Sequence, residues 1–280
     1  MRPINERTIL ITGATDGMGL QMARDLAAQG AALLLHGRDQ DRGEATLTAI
    51  REATGNDKLA YYRADFCALA EVRELAQRLL AEHSRLDVLV NNAGIGSGAR
   101  GDQTRALSRD GYELRFAVNY LAPFLLTRRL LPLLKASAPS RIINVASIGQ
   151  APIDFDDVMR ERGYDGMRAY SQSKLALIML TFDLAEELQG TAVTSNALHP
   201  ASLMDTKMVF ESFGYHLSSV HDGAAATIRL VTDPKLEGVS GRYYDQLRQA
   251  RANSQAYDRD ARARLRALSE QLTGLTLTTA

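Results

Sequence analysis

The chain has 280 residues, 45% hydrophobic and 24% charged, with 33 basic and 33 acidic side chains. That balance argues against a disordered or fibrous chain, and a formal net charge of zero leaves no field to gather nucleic acid or an anionic membrane, so the expected partners are small molecules. Cys67 is the only cysteine, which excludes an internal disulfide and a cysteine zinc cage; it reads as a small buried hydrophobe in a reducing, cytoplasmic setting. No apolar run stands before the first strand, so neither a signal peptide nor an anchor is expected there, and no apolar run reaches the roughly 18 residues of a membrane span.

Short apolar runs alternate with longer helical patterns along the whole chain. The alternation predicts an α/β fold, a Rossmann-like doubly wound parallel sheet with helices on both faces, in a single domain over residues 1–280. The first strand, Thr8 to Thr12, runs into Gly13, Ala14, Thr15, Asp16, Gly17, Met18 and Gly19, and a helix follows from Gly17 to Gln29. Glycines between a strand and a helix let the backbone turn sharply and approach a pyrophosphate, whose charge the helix N-terminus favours.

The second strand, Ala32 to His36, ends in Gly37, Arg38 and Asp39, where dinucleotide folds choose their cofactor. A carboxylate there receives the ribose 2′-hydroxyl, whereas an arginine accommodates a 2′-phosphate. Arg38 comes first and Asp39 suits the cap of the next helix, Asp39 to Ala53, so the reading favours NADP(H), with NAD(H) as the alternative. A third strand, Leu59 to Ala64, leads to Asp65 and Phe66, where a carboxylate can reach an adenine amine. After the helix Ala68 to His83 and the strand Asp87 to Asn91 come Asn92, Ala93 and Gly94, small residues that let the backbone pass beneath a ribose.

A long helix is predicted from Arg109 to Leu134, with Asn119 as a polar residue among Phe116, Ala117, Val118 and Leu121. Leu125, Leu126, Leu130 and Leu133 on it face either a second subunit or the chain's own sheet. The strand Arg141 to Ala146 ends at Ser147, whose hydroxyl can meet a substrate oxygen. In the helix Met167 to Leu188, Tyr170 stands four residues before Lys174, which places phenol and ammonium on one helix face. A nearby ammonium favours the phenolate, so the tyrosine can act as a proton donor near neutral pH.

The strand Ala192 to His199 leads to Pro200 and a segment, 201–219, that carries Met204, Met208, Phe210, Phe213 and Tyr215. Flexible apolar side chains there suit a lid over a lipophilic ketone, aldehyde or alcohol, with Met204 and Met208 facing it. A last strand, Arg242 to Asp245, precedes an arginine-rich amphipathic helix over 257–272. His199 reads as structural, and no cluster with ligand spacing suggests a metal.

Taken in order, the loop at 12–19, Asn91 to Gly94, Asn119, Ser147, Tyr170 with Lys174, and His199 with Pro200 resemble the classical short-chain dehydrogenase/reductase family over nearly the whole chain. The run Ala169 to Ala176 and the long gap from Ser147 to Tyr170 resemble its retinol-dehydrogenase-like and protochlorophyllide-reductase-like subgroup. The resemblance implies about seven strands, a nicotinamide cofactor, NADP(H) by the habit of the subgroup, and a catalytic tetrad of Asn119, Ser147, Tyr170 and Lys174. Lys174 would also hold the nicotinamide ribose, Pro200 and Leu203 would lie on the nicotinamide side, and the long helices would pair into homodimers or homotetramers. This sequence departs from the family at Ala201, which replaces a glycine, at Thr206, one residue later than the usual carboxamide-binding threonine, and at Ala146, which replaces a serine. Two other functions share parts of the pattern: an NADP(H)-sensing regulator without turnover, and an epimerase or dehydratase.

Overall fold

The computed structural model describes residues 1–98 and 104–275. Eight strands form one sheet: β1 (Thr8–Thr12), β2 (Ala32–Gly37), β3 (Leu59–Arg63), β4 (Val88–Asn91), β5 (Ser140–Val145), β6 (Val193–His199), β7 (Arg242–Asp245) and β8 (Arg248–Ala250). Their order is β3-β2-β1-β4-β5-β6-β7-β8. The chain builds outward from β1 to β3, then returns to the middle and builds the other way. The strand ends therefore part between β1 and β4, the crevice where such sheets bind ligands.

Seven strands are parallel, as the pattern predicts, and β8 adds an antiparallel hairpin to β7. Sequence reading missed β8 because a run of three residues carries no usable period. Side chains of the central strands alternate between two apolar layers. Leu10, Leu89, Ile142 and Ala197 face α3 (Leu69–Glu82), α5 (Ala122–Ala136) and α6 (Gly166–Glu187). Ile9, Ile11, Val90 and Ile143 face α1 (Gly17–Ala28) and α8 (Val220–Thr232). Burial on both faces explains why β1 and β4 read as short continuous apolar runs.

Local chemistry sets the helix ends. Asp39 caps α2 (Gln40–Thr54) through Arg42 N, and Gly55, at φ +67°, closes it in a left-handed turn. Ser219 and Asp222 form a reciprocal capping box at the start of α8. The helix predicted from Arg109 begins later, as α4 (Leu114–Phe116), because Ser108 Oγ accepts from Asp110 N and Tyr112 N and Gly111 takes φ +83°. Residues 108–112 are thereby held as a turn, and the Glu113 carboxylate caps the helix through Phe116 N at 2.7 Å. A π-helical turn, Ala117–Leu121, then joins α4 to α5.

Three further expectations are corrected or decided. Cys67 is only half-buried, its N–H bonded to Asp65, and burial followed by the Asp65 charge pushes its thiol up to about 11. Leu125, Leu126, Leu130 and Leu133 are all buried within this chain. The C-terminal helix, α9 (Arg259–Thr273), packs against α6 with Arg262 buried, so its arginines do not form a uniformly solvated face. No described helix is long and apolar enough to cross a membrane.

Candidate active site

The glycine loop is packed too closely to carry side chains. A Cβ on Gly19 would stand 2.0 Å from the Gly13 carbonyl and 2.6 Å from Asn92 Nδ2, and one on Gly13, at φ +66°, would stand 2.9 Å from Ala93 Cα. This bare turn at the mouth of the crevice fits a pyrophosphate. Asn92 does not point into it: Nδ2 donates to the Thr12 and Gly13 carbonyls at 2.8 and 3.0 Å, which stitches the loop after β4 to the end of β1. Ala93 N donates to Thr12 Oγ1, adding a third stitch.

Within the loop, Asp16 faces outward. Its carboxylate accepts from Gly17 N at 2.8 Å and pairs with Arg42 at 3.0 Å, so it caps α1 and offers no donor to a phosphate. Met18 turns away toward α8, where Thr227 Oγ1 lies 3.9 Å from its sulfur, leaving only backbone to the crevice. Thr15 is half-buried against Gly37, where a Cβ would lie 2.9 Å from its methyl group. Arg38 is exposed at the end of β2. Asp65 is engaged with Cys67 N and with Arg109 at 3.1 Å, and Phe66 is buried.

The polar residues on the other side converge from three elements. Ser147 follows β5, Tyr170 and Lys174 stand on α6, and Asn119 sits in the π-helical turn. A Cβ on Gly94 would lie 3.1 Å from Asn119 Oδ1 and 3.4 Å from Lys174 Nζ, so glycine lets the loop after β4 pass close to both groups. Asn119 is fully buried; it accepts from Ile95 N at 2.8 Å and donates to Ile95 O and to Ser173 Oγ at 3.1 and 3.0 Å. Ser173 in turn donates to the Tyr170 carbonyl at 2.7 Å. A π turn is a common device for placing a side chain that regular helix would misdirect.

Burial raises the Tyr170 phenol above its usual value, against the Ser147 hydroxyl that hydrogen-bonds it. Burial also lowers Lys174 to about 8. Its Nζ donates to the Val145 carbonyl at 2.9 Å and stands 5.7 Å from the centre of the Tyr170 ring. The expected acidification of the phenol by the ammonium is thus absent from this geometry, in which desolvation outweighs it. His199 is lowered by burial and bonds Ser202 Oγ at 3.0 Å, in keeping with a structural role.

The segment 201–219 lies over the crevice. Thr206 caps α7 (Lys207–Phe213) through Val209 N, and its methyl would lie 3.3 Å from a Cβ on Gly17. Met208 rests on Gly96, whose Cβ would stand 2.8 Å from its Cγ. Met204 turns inward to Gly223 and Met18, so of the two methionines only Met208 reaches the substrate side. Pro200 is buried beside Gly223, and Leu203, at φ +46°, accepts from Leu217 N. A cleft of about 300 Å³ beside Ser147 is lined by Ile148, Gln150, Tyr243, Asp245 and Arg251 among others.

Several supports escaped the sequence reading. Arg115 donates to the Gly96 and Ser97 carbonyls at 3.1 and 2.8 Å and bonds Tyr164, which itself donates to Glu113, tying the loop after β4 to the approach to α6. Tyr243 donates to the Ser147 carbonyl at 3.0 Å. Each joins residues more than ten positions apart, a relation no local period announces. Ser173, three residues from Tyr170 on the same helix, was the one within reach of spacing rules.

Residues 7–213 match the family model described as short chain dehydrogenase. This chain belongs to that family. Retinol dehydrogenase 13 of Mus musculus is 37% identical to it over 97% of this chain and 85% of its own. A Shigella flexneri chain assigned as a short chain dehydrogenase and complexed with NADP shares 27% identity at a TM-score of 0.70, covering 87% of this chain and 98% of its own. The 3-ketoacyl-(acyl-carrier-protein) reductase of Brucella melitensis, complexed with NADH, shares 26% at 0.69, over 86% and 97%. The short-chain dehydrogenase described here is accordingly an NAD(P)-dependent oxidoreductase acting on alcohols or carbonyls, of the retinol-dehydrogenase-like subgroup.

Proposed function

We propose that this dehydrogenase prefers NADP(H) and interconverts a carbonyl and an alcohol on a small lipophilic substrate, with Tyr170 holding the exchanged proton. The convergence of Asn119, Ser147, Tyr170 and Lys174 beside the bare glycine loop carries this reading. The nicotinamide, when bound, supplies hydride chemistry. Tyr170, kept protonated at neutral pH by its raised pKa, is set to donate to a carbonyl oxygen. Ser147 Oγ, next to the phenol, can donate to the same oxygen as charge develops there. Lys174 would hold the ribose hydroxyls, and Asn119 fixes the floor beneath them by clamping Ile95.

Arg38 supports NADP(H), since an exposed guanidinium after Gly37 suits a 2′-phosphate and no carboxylate precedes it on β2. Ile148, Met208, Phe210 and Leu217, all exposed on segments next to the crevice, support an apolar substrate. The relative's name agrees, because retinol is a lipophilic alcohol. The experiment is NADPH and NADH oxidation measured in parallel over a panel of ketones and aldehydes, with the reverse reaction over alcohols. Turnover of apolar carbonyls with NADPH is expected. Tight NADPH binding without turnover of any carbonyl or alcohol would favour a sensing regulator instead.

A further inference from the structure

His36 has no place in the chemistry above, yet it sits under the glycine loop, against Gly13, Ala64 and Phe66. Its ring is 3% exposed. Nε2 stands 3.0 Å from the Ala64 carbonyl, which can only accept, so this nitrogen carries the proton and Nδ1 presents a lone pair. That lone pair accepts from Gly13 N at 3.3 Å. The ring also stacks on Phe66, with centroids 4.2 Å apart and planes 20° from parallel. Burial holds the imidazole down to about 4, which keeps the Nδ1 lone pair available in neutral solution.

One side chain thus joins the loop after β1 to the segment after β3. The backbone makes the same connection alongside it: Ala14 N donates to the His36 carbonyl at 2.8 Å, and Ala64 N donates to that of Gly37 at 3.0 Å. Gly13 is already confined from the opposite side by Gly19 and Ala93. The imidazole adds the side-chain contact at Gly13 N.

We propose that His36 is a positioning residue for the cofactor: through Gly13 and Phe66 it sets the spacing between the pyrophosphate turn and the adenosine end of the crevice, and so governs dinucleotide affinity and not turnover. The proposal rests on the assignment of that crevice to NADP(H). It distinguishes the two ring nitrogens, because an asparagine can reproduce the acceptor at Nδ1 and a glutamine the donor at Nε2.

The test is the dissociation constant for NADPH, by titration calorimetry on the cofactor-free protein, for the wild type and for His36→Leu, His36→Asn and His36→Gln. Thermal midpoints of the free proteins and kcat and KM with a reducible carbonyl accompany it. His36→Leu is expected to weaken NADPH binding tenfold or more and to raise its KM alike, with kcat at saturation within twofold. His36→Asn should recover affinity to within threefold of wild type, and His36→Gln should not, although both lower the midpoint similarly. Should His36→Leu fail to fold, the Asn and Gln pair carries the comparison. Equal affinities in all folded variants, or affinity that simply follows the thermal midpoint, would overturn the proposal alone. A wild type that binds neither NADPH nor NADH would overturn the cofactor assignment, and the role of His36 with it.

Discussion

Lys174 Nζ lies 5.7 Å from the centre of the Tyr170 ring and gives its hydrogen bond to the Val145 carbonyl, 2.9 Å away. The ammonium therefore stands over the ring face and is anchored to the end of β5, while the phenol is paired with Ser147. Under the proposed function the two side chains would have separable duties, the proton on Tyr170 and the cofactor contact on Lys174. Tyr170→Phe keeps the ring and removes only the hydroxyl, so turnover should fall at least about a thousandfold, within the range assigned to a positioned proton donor. NADPH affinity should stay within threefold. Steady-state kinetics and a binding titration on the same preparation check both halves.

Lys174 predicts a pH-dependent stability. Its pKa falls from 10.5 to about 8 on burial, so between those values the unfolded chain binds more protons than the folded one. Stability attributable to this site therefore rises with pH across that window, and the full cost of the buried ammonium is present below about pH 8. Lys174→Met removes that cost. The cofactor-free variant should be more stable than wild type at pH 7, by up to roughly 3 kcal/mol at about 1.4 kcal/mol per unit, and the difference should vanish toward pH 10.5. Denaturant titrations of both proteins at pH 7 and pH 10 measure it; a constant difference would contradict the assignment.

The proposed preference for NADP(H) rests on Arg38. It is exposed, and the next basic residue along the chain, Arg42, is engaged with Asp16 at 3.0 Å. Arg38→Leu should weaken NADPH at least tenfold, as expected for losing about 1.5–3 kcal/mol of charge-assisted hydrogen bonding, and leave NADH within twofold. Parallel titrations with the two cofactors decide it. An equal loss for both would assign Arg38 to the loop's architecture.

The parts of this site that lie along one element were legible in the sequence. Tyr170 and Lys174 share a helix face by spacing, Ser147 closes an apolar strand, and the glycine loop stands between a strand and a helix, so one-dimensional patterns mark all three. The doubly wound parallel sheet followed from the same alternation, up to the short β8. What the pattern could not carry was direction. Asn92, Met18 and Met204 lie where expected in the chain, yet their side chains turn toward Thr12, α8 and Gly223, because packing between distant elements decides orientation. The supports Arg115, Tyr243 and His36 were invisible for the same reason, since each acts on a segment far away in sequence.

Arg262 links the C-terminal helix to the catalytic helix. It is 4% exposed, with Nε 2.9 Å from Asp183 Oδ1, Nη2 2.6 Å from Glu186 Oε1 and Nη1 3.1 Å from the Ala256 carbonyl. Both carboxylates belong to α6, the helix that carries Tyr170 and Lys174. Burial raises Asp183, and Arg266, Arg262 and Arg128 together oppose that rise without overcoming it. Removing Arg262 alone should therefore be costly, because it takes the 2.9 Å partner from a buried carboxylate and leaves it Arg266 at 3.8 Å: Arg262→Met is expected to lose about 3 kcal/mol, the low end for a broken buried pair. Arg262→Met with Asp183→Leu removes both charges and should recover most of that loss, since a buried ion pair often contributes little over an apolar pair of similar volume. Denaturant midpoints of the wild type, both single variants and the double variant close the cycle. A double variant as unstable as Arg262→Met would place the value of Arg262 in its bonds to Glu186 and Ala256, and not in its neutralisation of Asp183.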